Sequence, residues 1–254
     1  GVAEARGAGE EAEARGAGED GLRGDGAPYN ALPLAERSQI LAEAAAEVVI
    51  FEAEALDAVY AAGRGEAVEQ AVGMFELLRR MQSAYLPQIL PMLRRLHGRA
   101  CASEVVALGH TRQQLRMQHP EVIGLREALV ATAELPAATN VEASWIYHKG
   151  VDALGELGAL TTVVEKVLTL AAATEKLVVE THGRCDELSA DDLVPLVTLA
   201  LVTCRLEAVG FEAFVLTELC SDLLATGKEA YLICTLQVAL GFLQAVDVGG
   251  HTGT

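Results

Sequence analysis

The sequence predicts an all-α fold. Leu, Ala, Val and Glu dominate it, and aromatic residues make up only 4%, a composition that favours helix over strand. Apolar residues recur at helical spacing in one segment after another, and no segment alternates convincingly with period two. Gly and Pro punctuate those segments near their ends.

The elements follow in chain order. Residues 1–28 are Gly, Ala, Glu and Arg, with "AEARGAGE" at 3–10 and again at 12–19. So few large apolar groups cannot offset ordering entropy, so a disordered linker is expected. "LPLAERSQILAEAAAEVVIFEAEALDAVYAAG" reads as one helix of about 28 residues, stopped by Gly63 and Gly65. "EAVEQAVGMFELLRRMQSAYLPQILPMLRRLHGRA" reads as a second, which Pro87 and Pro91 should kink or split, because each removes a backbone donor. Arg79, Arg80, Arg94, Arg95 and Arg99 form the densest basic cluster there. It is a solvated face or, less simply, a docking patch.

Residues 104–119 read as a connection with a short helical piece. "PEVIGLREALVATAEL" opens a helix with Pro120 in its first turn. "TNVEASWIYHKGVDALGELGAL" is less regular, with Trp145 as a packing anchor. "TTVVEKVLTLAAATEKLVVETHG" is a clear helix ending at Gly183, and three more are expected near 190–207, 211–225 and 229–246. The chain starts with Gly, which suggests a piece of a longer protein.

The totals restrict function. A net charge of −17 argues against nucleic acid, whose phosphates need Lys and Arg, and against an anionic membrane as main partner. It suits a partner presenting a basic group. The five cysteines show no metal-ligand spacing and read as small buried hydrophobes of a reduced compartment, with neither metal nor cofactor expected. The histidines are scattered and read as surface residues. There is no glycine-rich phosphate loop, nucleophile elbow or His/Cys/Asp cluster to indicate an enzyme acting on a small molecule.

Two stretches carry more information. In "SADDLVPLVTLALVTCRL" (189–206) the apolar residues fall on every face, the mark of a central buried helix. Its N-terminus is then the part that reaches the surface. Ser189 is a good cap, with Asp192 three positions on as a loose capping box. One cap geometry does not use both Asp191 and Asp192, because successive side chains point about 100° apart. Pro195 cannot donate to the Asp191 carbonyl, so the turn is distorted there. Capping and a surface-presented functional acid both remain open. From Cys185 to Thr254 ten acids face two bases, a local net of −8, which would orient a basic partner.

In "LATGKEAYLICTLQVALGFLQAV" (224–246), Leu232, Leu236, Ala239, Leu240 and Leu243 form a core stripe. Tyr231 lies about 120° off its centre, grouped with Thr235 and Val238. It is either a contact residue or a tyrosine packing at the domain edge with its hydroxyl in water.

Together the two stretches resemble the core of the VPS-nine (vacuolar protein sorting nine) domain of guanine-nucleotide exchange factors for Rab-five-class GTPases. Gly227, Glu229, Tyr231, Leu236, Ala239 and Phe242 match the family pattern at the second stretch, and "VVEKVLTLAAATEKL" is similar to an upstream family helix. The resemblance implies a layered helical bundle, an exchange domain over 112–248, a supporting helical region over 29–111 packed on it, and a flexible tail at 249–254. It implies Asp191 and Tyr231 as the catalytic pair: Asp191 the acidic finger that meets the phosphate-binding lysine of the GTPase, Tyr231 the tyrosine against its switch region. Asp192, Pro195 and Thr235 would join the GTPase-binding surface, with Leu199 and Val202 as its hydrophobic floor. It further implies a cytoplasmic protein recruited to early endosomes through partners or other segments, regulating a GTPase with no covalent chemistry, no cofactor and no small-molecule substrate of its own. Ala230 in place of the usual Gly, Thr203, Cys204 and Arg205 in place of a common Lys and Asn, and no aromatic at Thr198 or Leu199 depart from the pattern. They motivate the alternative of a GTPase-binding or scaffold module with weak or no exchange activity.

Overall fold

Every element in the computed structural model is helical among the residues it describes, which are 33–62, 73–130, 147–181, 188–220, 224 and 227–246. The helices are α1 (Leu34–Ala61), α2 (Met74–Ala100), α3 (Ala102–Arg116), α4 (Glu127–Val130), α5 (His148–Gly155), α6 (Val163–Thr181), α7 (Ala190–Thr203), α8 (Val209–Glu218) and α9 (Gly227–Ala245). Short 3₁₀ turns lie at Pro120–Ile123 and Glu156–Ala159. The expectations for 1–28, Gly63, Gly65, Trp145, His182, Gly183, Cys185 and 249–254 lie outside the described residues.

α7 is the centre. It packs against α3, α5, α6 and α9, as the absence of a polar face requires. Leu196, Val197, Leu199, Ala200, Leu201 and Val202 are all buried, and each large side chain among them contributes about 1.5–3 kcal/mol by leaving water. α5 lies against α6 through Gly150, which is buried and donates its N–H to Glu180 Oε2 at 3.1 Å.

α1 and α2 pair with each other, and α2 continues onto α6 and α8. Gln82 of α2 is the bolt. Its Nε2 donates to Glu52 Oε1 of α1 at 2.9 Å, and its Oε1 accepts from the Val164 N–H at the start of α6 at 3.0 Å. Tyr85 also donates to Glu52 Oε1. A second tie is ionic: Arg94 of α2 reaches Glu212 of α8 at 2.7 Å and lies 4.9 Å over the Phe211 ring. Arg94 is therefore a structural cation rather than a member of a uniformly solvated basic face. Arg79 and Arg80 are also engaged, both by Glu76.

Several expectations are corrected. α2 is not split: it runs unbroken through Pro87 and Pro91. The two prolines are four apart and exposed, so the carbonyls they leave without donors lie on the solvent side, where water serves them. Residues 104–119 are no connection, since α3 fills most of them, with Leu108, Arg112 and Leu115 as its buried stripe. "PEVIGLREAL" is not one helix. Pro120 opens a 3₁₀ turn, and Gly124 ends it in the left-handed conformation (φ 80°) before α4 begins. α7 stops at Thr203 rather than near 207. Of the described cysteines only Cys204 is buried, and Cys234 is exposed. His97 is buried, edge-on to Phe211.

Candidate functional site

The N-terminal turn of α7 separates its two acids. Ser189 is extended (φ −86°, ψ 164°) and caps the helix in a capping box with Asp192. Its N–H and Oγ donate to Asp192 Oδ2 at 2.8 and 2.6 Å. Arg126, just before α4, closes the other side: Nη2 donates to Oδ2 at 2.6 Å and Nε meets Oδ1 at 2.5 Å. Asp192 is buried. Burial pushes its carboxyl up, but the Ser189 hydroxyl and amide and the Arg126 guanidinium outweigh it and hold the group below its ordinary value.

Asp191 is the opposite case. It is exposed, and it makes no hydrogen bond or ion pair with any described residue. Among the described residues the turn thus displays one uncompensated carboxylate, not two. Glu212 is likewise spent inside the protein on Arg94 and Lys166. The surface charge of the C-terminal region is correspondingly smaller than its sequence count of −8.

Pro195 is half-buried in the same turn region. Gly124 backs onto it: a Cβ built on Gly124 would sit 3.6 Å from Pro195 Cγ. The bracket of 120–126 is anchored in the core by Pro120, Ile123 and Leu125.

The far end of α7 is held by arginines of α3. Arg112 donates to the carbonyls of Leu201, Leu206 and Cys204 at 2.8, 2.7 and 2.8 Å. Arg116 donates to those of Val202 and Cys204 at 2.8 and 3.3 Å. These oxygens have no further helical turn to donate to them, and a guanidinium near a helix C-terminus also complements the macrodipole. Burial depresses the Arg112 pKa and raises that of the Cys204 thiol.

α9, packed along α7, carries the remaining candidates. Gly227 begins it at φ 55°. Tyr231 is 46% exposed and Val238 is 52% exposed. With Cys234 they form an exposed, uncharged stripe. Thr235, expected to share that face, is buried and donates Oγ1 to the Tyr231 carbonyl at 2.9 Å. Leu199 and Val202 are fully buried, so they pack the core beneath the surface and do not form part of it.

Sequence reasoning brings Tyr231 to the surface and offers Asp192 as a cap, but it leaves open which acid is displayed, assigns Asp192 to the GTPase-binding surface although the structure buries it, and misses Arg112, Arg116 and Arg126. An arginine inside the apolar stripe of Leu108 and Leu115 was the one available signal. A cavity of about 540 Å³ lies between α2 and the 156–159 turn and is lined by Pro87, Leu90, Pro91, Arg94 and Arg95 among others. It shares no residue with this surface. Among the described residues no three His, Cys, Asp or Glu side chains could hold a metal, and no helix is long and apolar enough to cross a membrane.

No curated protein matches the chain. Residues 147–248 match the family model of the Vacuolar sorting protein 9 (VPS9) domain, a stretch that holds α5 to α9 and both Asp191 and Tyr231. Domains of this kind bind small GTPases and regulate them as guanine-nucleotide exchange factors of the Rab type. Through residues 147–248, the chain is similar to the VPS9 domain family.

Proposed function

We propose that this protein is a guanine-nucleotide exchange factor for Rab-five-class GTPases, working in endocytic trafficking from the cytoplasm at early endosomes. The observation that supports it is the division of labour at α7: Asp192 is buried and paired, while Asp191 is exposed and pairs with no described residue. A carboxylate held this way offers a charge-assisted bond to the phosphate-binding lysine of a GTPase once phosphate leaves. It competes with phosphate and Mg²⁺ and favours the nucleotide-free state. Only an interaction stronger in that state than in the nucleotide-bound state accelerates release. Tyr231 and the uncharged face of α9 would pack against the switch region. Pro195 shapes the turn, and Asp192 acts from within as its cap. Leu199, Val202 and Thr235 support the surface from beneath.

The test is release of a fluorescent GDP from a panel of Rab-five-class GTPases. Wild type should accelerate it. Asp191→Ala should abolish the acceleration and Tyr231→Ala weaken it, both with unchanged melting temperature.

The second reading is a domain that binds a GTPase without catalysing exchange. What favours it is the end of α7, where Thr203 returns its hydroxyl to the Leu199 carbonyl and Cys204 is buried, at positions where the pattern carries Lys and Asn. Binding of nucleotide-free GTPase with no acceleration across the panel would select this reading.

A further inference from the structure

The first turn of α7 is held by a residue that lies outside the matched domain. Arg126 precedes residues 147–248, yet two of its guanidinium nitrogens, Nη2 and Nε, engage Asp192, at 2.6 and 2.5 Å. A planar fork on a carboxylate fixes orientation as well as distance, which a point charge does not. Asp192 in turn is tied to the Ser189 amide and hydroxyl, so the guanidinium, the cap and the first turn form one unit. Pro195 in the same helix deprives the Asp191 carbonyl of its helical donor, so the turn that carries Asp191 has one restraint fewer than an ordinary helix start. The bracket supplies the restraint from outside: Arg126 on Asp192, and the Gly124 turn against Pro195.

We infer that Arg126 is a positioning residue for exchange, setting the direction of the Asp191 carboxylate by clamping its neighbour. The inference rests on the proposed function for its catalytic readout. It predicts that loss of the clamp leaves the fold standing and the finger misdirected. Arg126 is half-exposed, so its removal opens no large cavity. Its catalytic effect is a matter of aim, and small misplacements of a reacting group cost large factors in rate.

The experiment uses the full chain with Arg126→Ala, Arg126→Lys and Asp192→Asn. It measures nucleotide release together with amide hydrogen exchange over residues 190–194. Arg126→Ala should lower the maximal release rate about tenfold or more. The GTPase concentration for half-maximal effect should change less, and far-ultraviolet circular dichroism should be unchanged. Arg126→Lys, which restores the charge but not the fork, should recover only part of the rate. Amide exchange at 190–194 should quicken in Arg126→Ala and not in regions remote from α7. A wild-type release rate in Arg126→Ala overturns the inference, as does full recovery in Arg126→Lys. If wild type itself releases no nucleotide, the proposed function fails instead. Unchanged amide protection in Arg126→Ala would then overturn the clamp, and lost protection would uphold it.

Discussion

Lys166 and Glu212 meet at 2.5 Å with each side chain only 1% exposed, joining α6 to α8 inside the protein. The lysine also donates to the Leu157 carbonyl at 2.6 Å, and Arg94 takes the second carboxylate oxygen at 2.7 Å. Burial drives the Lys166 pKa down, and Glu212 opposes that. Removing one partner strands the other's charge, whereas removing both leaves an apolar gap that can be filled. Glu212→Ala should therefore cost about 3–5 kcal/mol, read as a lower urea midpoint. Lys166→Met with Glu212→Leu should cost clearly less than that single change. A double variant as unstable as Glu212→Ala would show that this site tolerates no apolar replacement.

Glu52 gives a prediction in pH. It is buried between α1 and α2, and its Oε2 has no hydrogen-bond partner among the described residues. Desolvation raises its pKa, while the Tyr85 and Gln82 hydrogen bonds pull the other way without cancelling the rise. The folded carboxyl therefore binds its proton more tightly than the unfolded one. Its contribution is fully present below the unfolded value and is lost as pH rises through the folded value. Glu52→Gln keeps the shape and removes the ionisation. It should stabilise the protein near pH 7 by about 1–2 kcal/mol, with the difference shrinking as pH falls. Melting curves of both proteins across pH check this, and an advantage that grows toward acid would contradict it.

What the sequence made legible follows from what each signal depends on. The burial of α7 is a property of α7 alone: a helix apolar on every side has no surface to show, and the structure buries Leu196 through Val202. The exposure of Tyr231 came from the angular position of one residue on one helix. Thr235 failed by the same reasoning, because its hydroxyl satisfies itself on the Tyr231 carbonyl and can enter the interior without a partner from elsewhere. The clamp on α7 could not be read at all. Arg112 is 89 residues from the Leu201 carbonyl it holds, and Arg126 is 66 residues from Asp192. Neither pairing leaves a trace in local periodicity. Residues 104–119 read as a connection for the same reason, since their buried stripe contains a charged residue whose partners are distant carbonyls.

Arg112 should accordingly behave as a core residue despite its charge. Its three guanidinium nitrogens hold three carbonyls at and just beyond the end of α7, and hydrogen bonds from charged groups are worth about 1.5–3 kcal/mol each before non-additivity. Arg112→Met, which keeps much of the volume, should cost at least about 3 kcal/mol and speed amide exchange at 200–204. Arg112→Lys places one donor group where three carbonyls are spread, and should recover only part of that loss. Equal stability of Met and wild type would mean that water serves these carbonyls as well as the guanidinium does.

Gly150 sets how closely α5 can approach α6. A Cβ there would lie 2.5 Å from Leu177 Cδ2 and 3.0 Å from the Leu177 backbone nitrogen, and it would also meet Leu177 Cγ. Leu177 is itself buried, so its side chain has little room to withdraw, and the backbone atom has less. Gly150→Ala should therefore destabilise by about 1–3 kcal/mol even though alanine is the better helix former. The control is Gly109 in α3, where a Cβ meets nothing within 4 Å. Gly109→Ala should gain about 0.5–1 kcal/mol from reduced unfolded-state entropy. Thermal or urea melts of the two variants should thus move in opposite directions. Shortening Leu177 to Ala in the Gly150→Ala background should make that second change cost less than Leu177→Ala does alone, because the added methyl takes up part of the cavity. Strict additivity would place the strain on the backbone rather than on the leucine side chain.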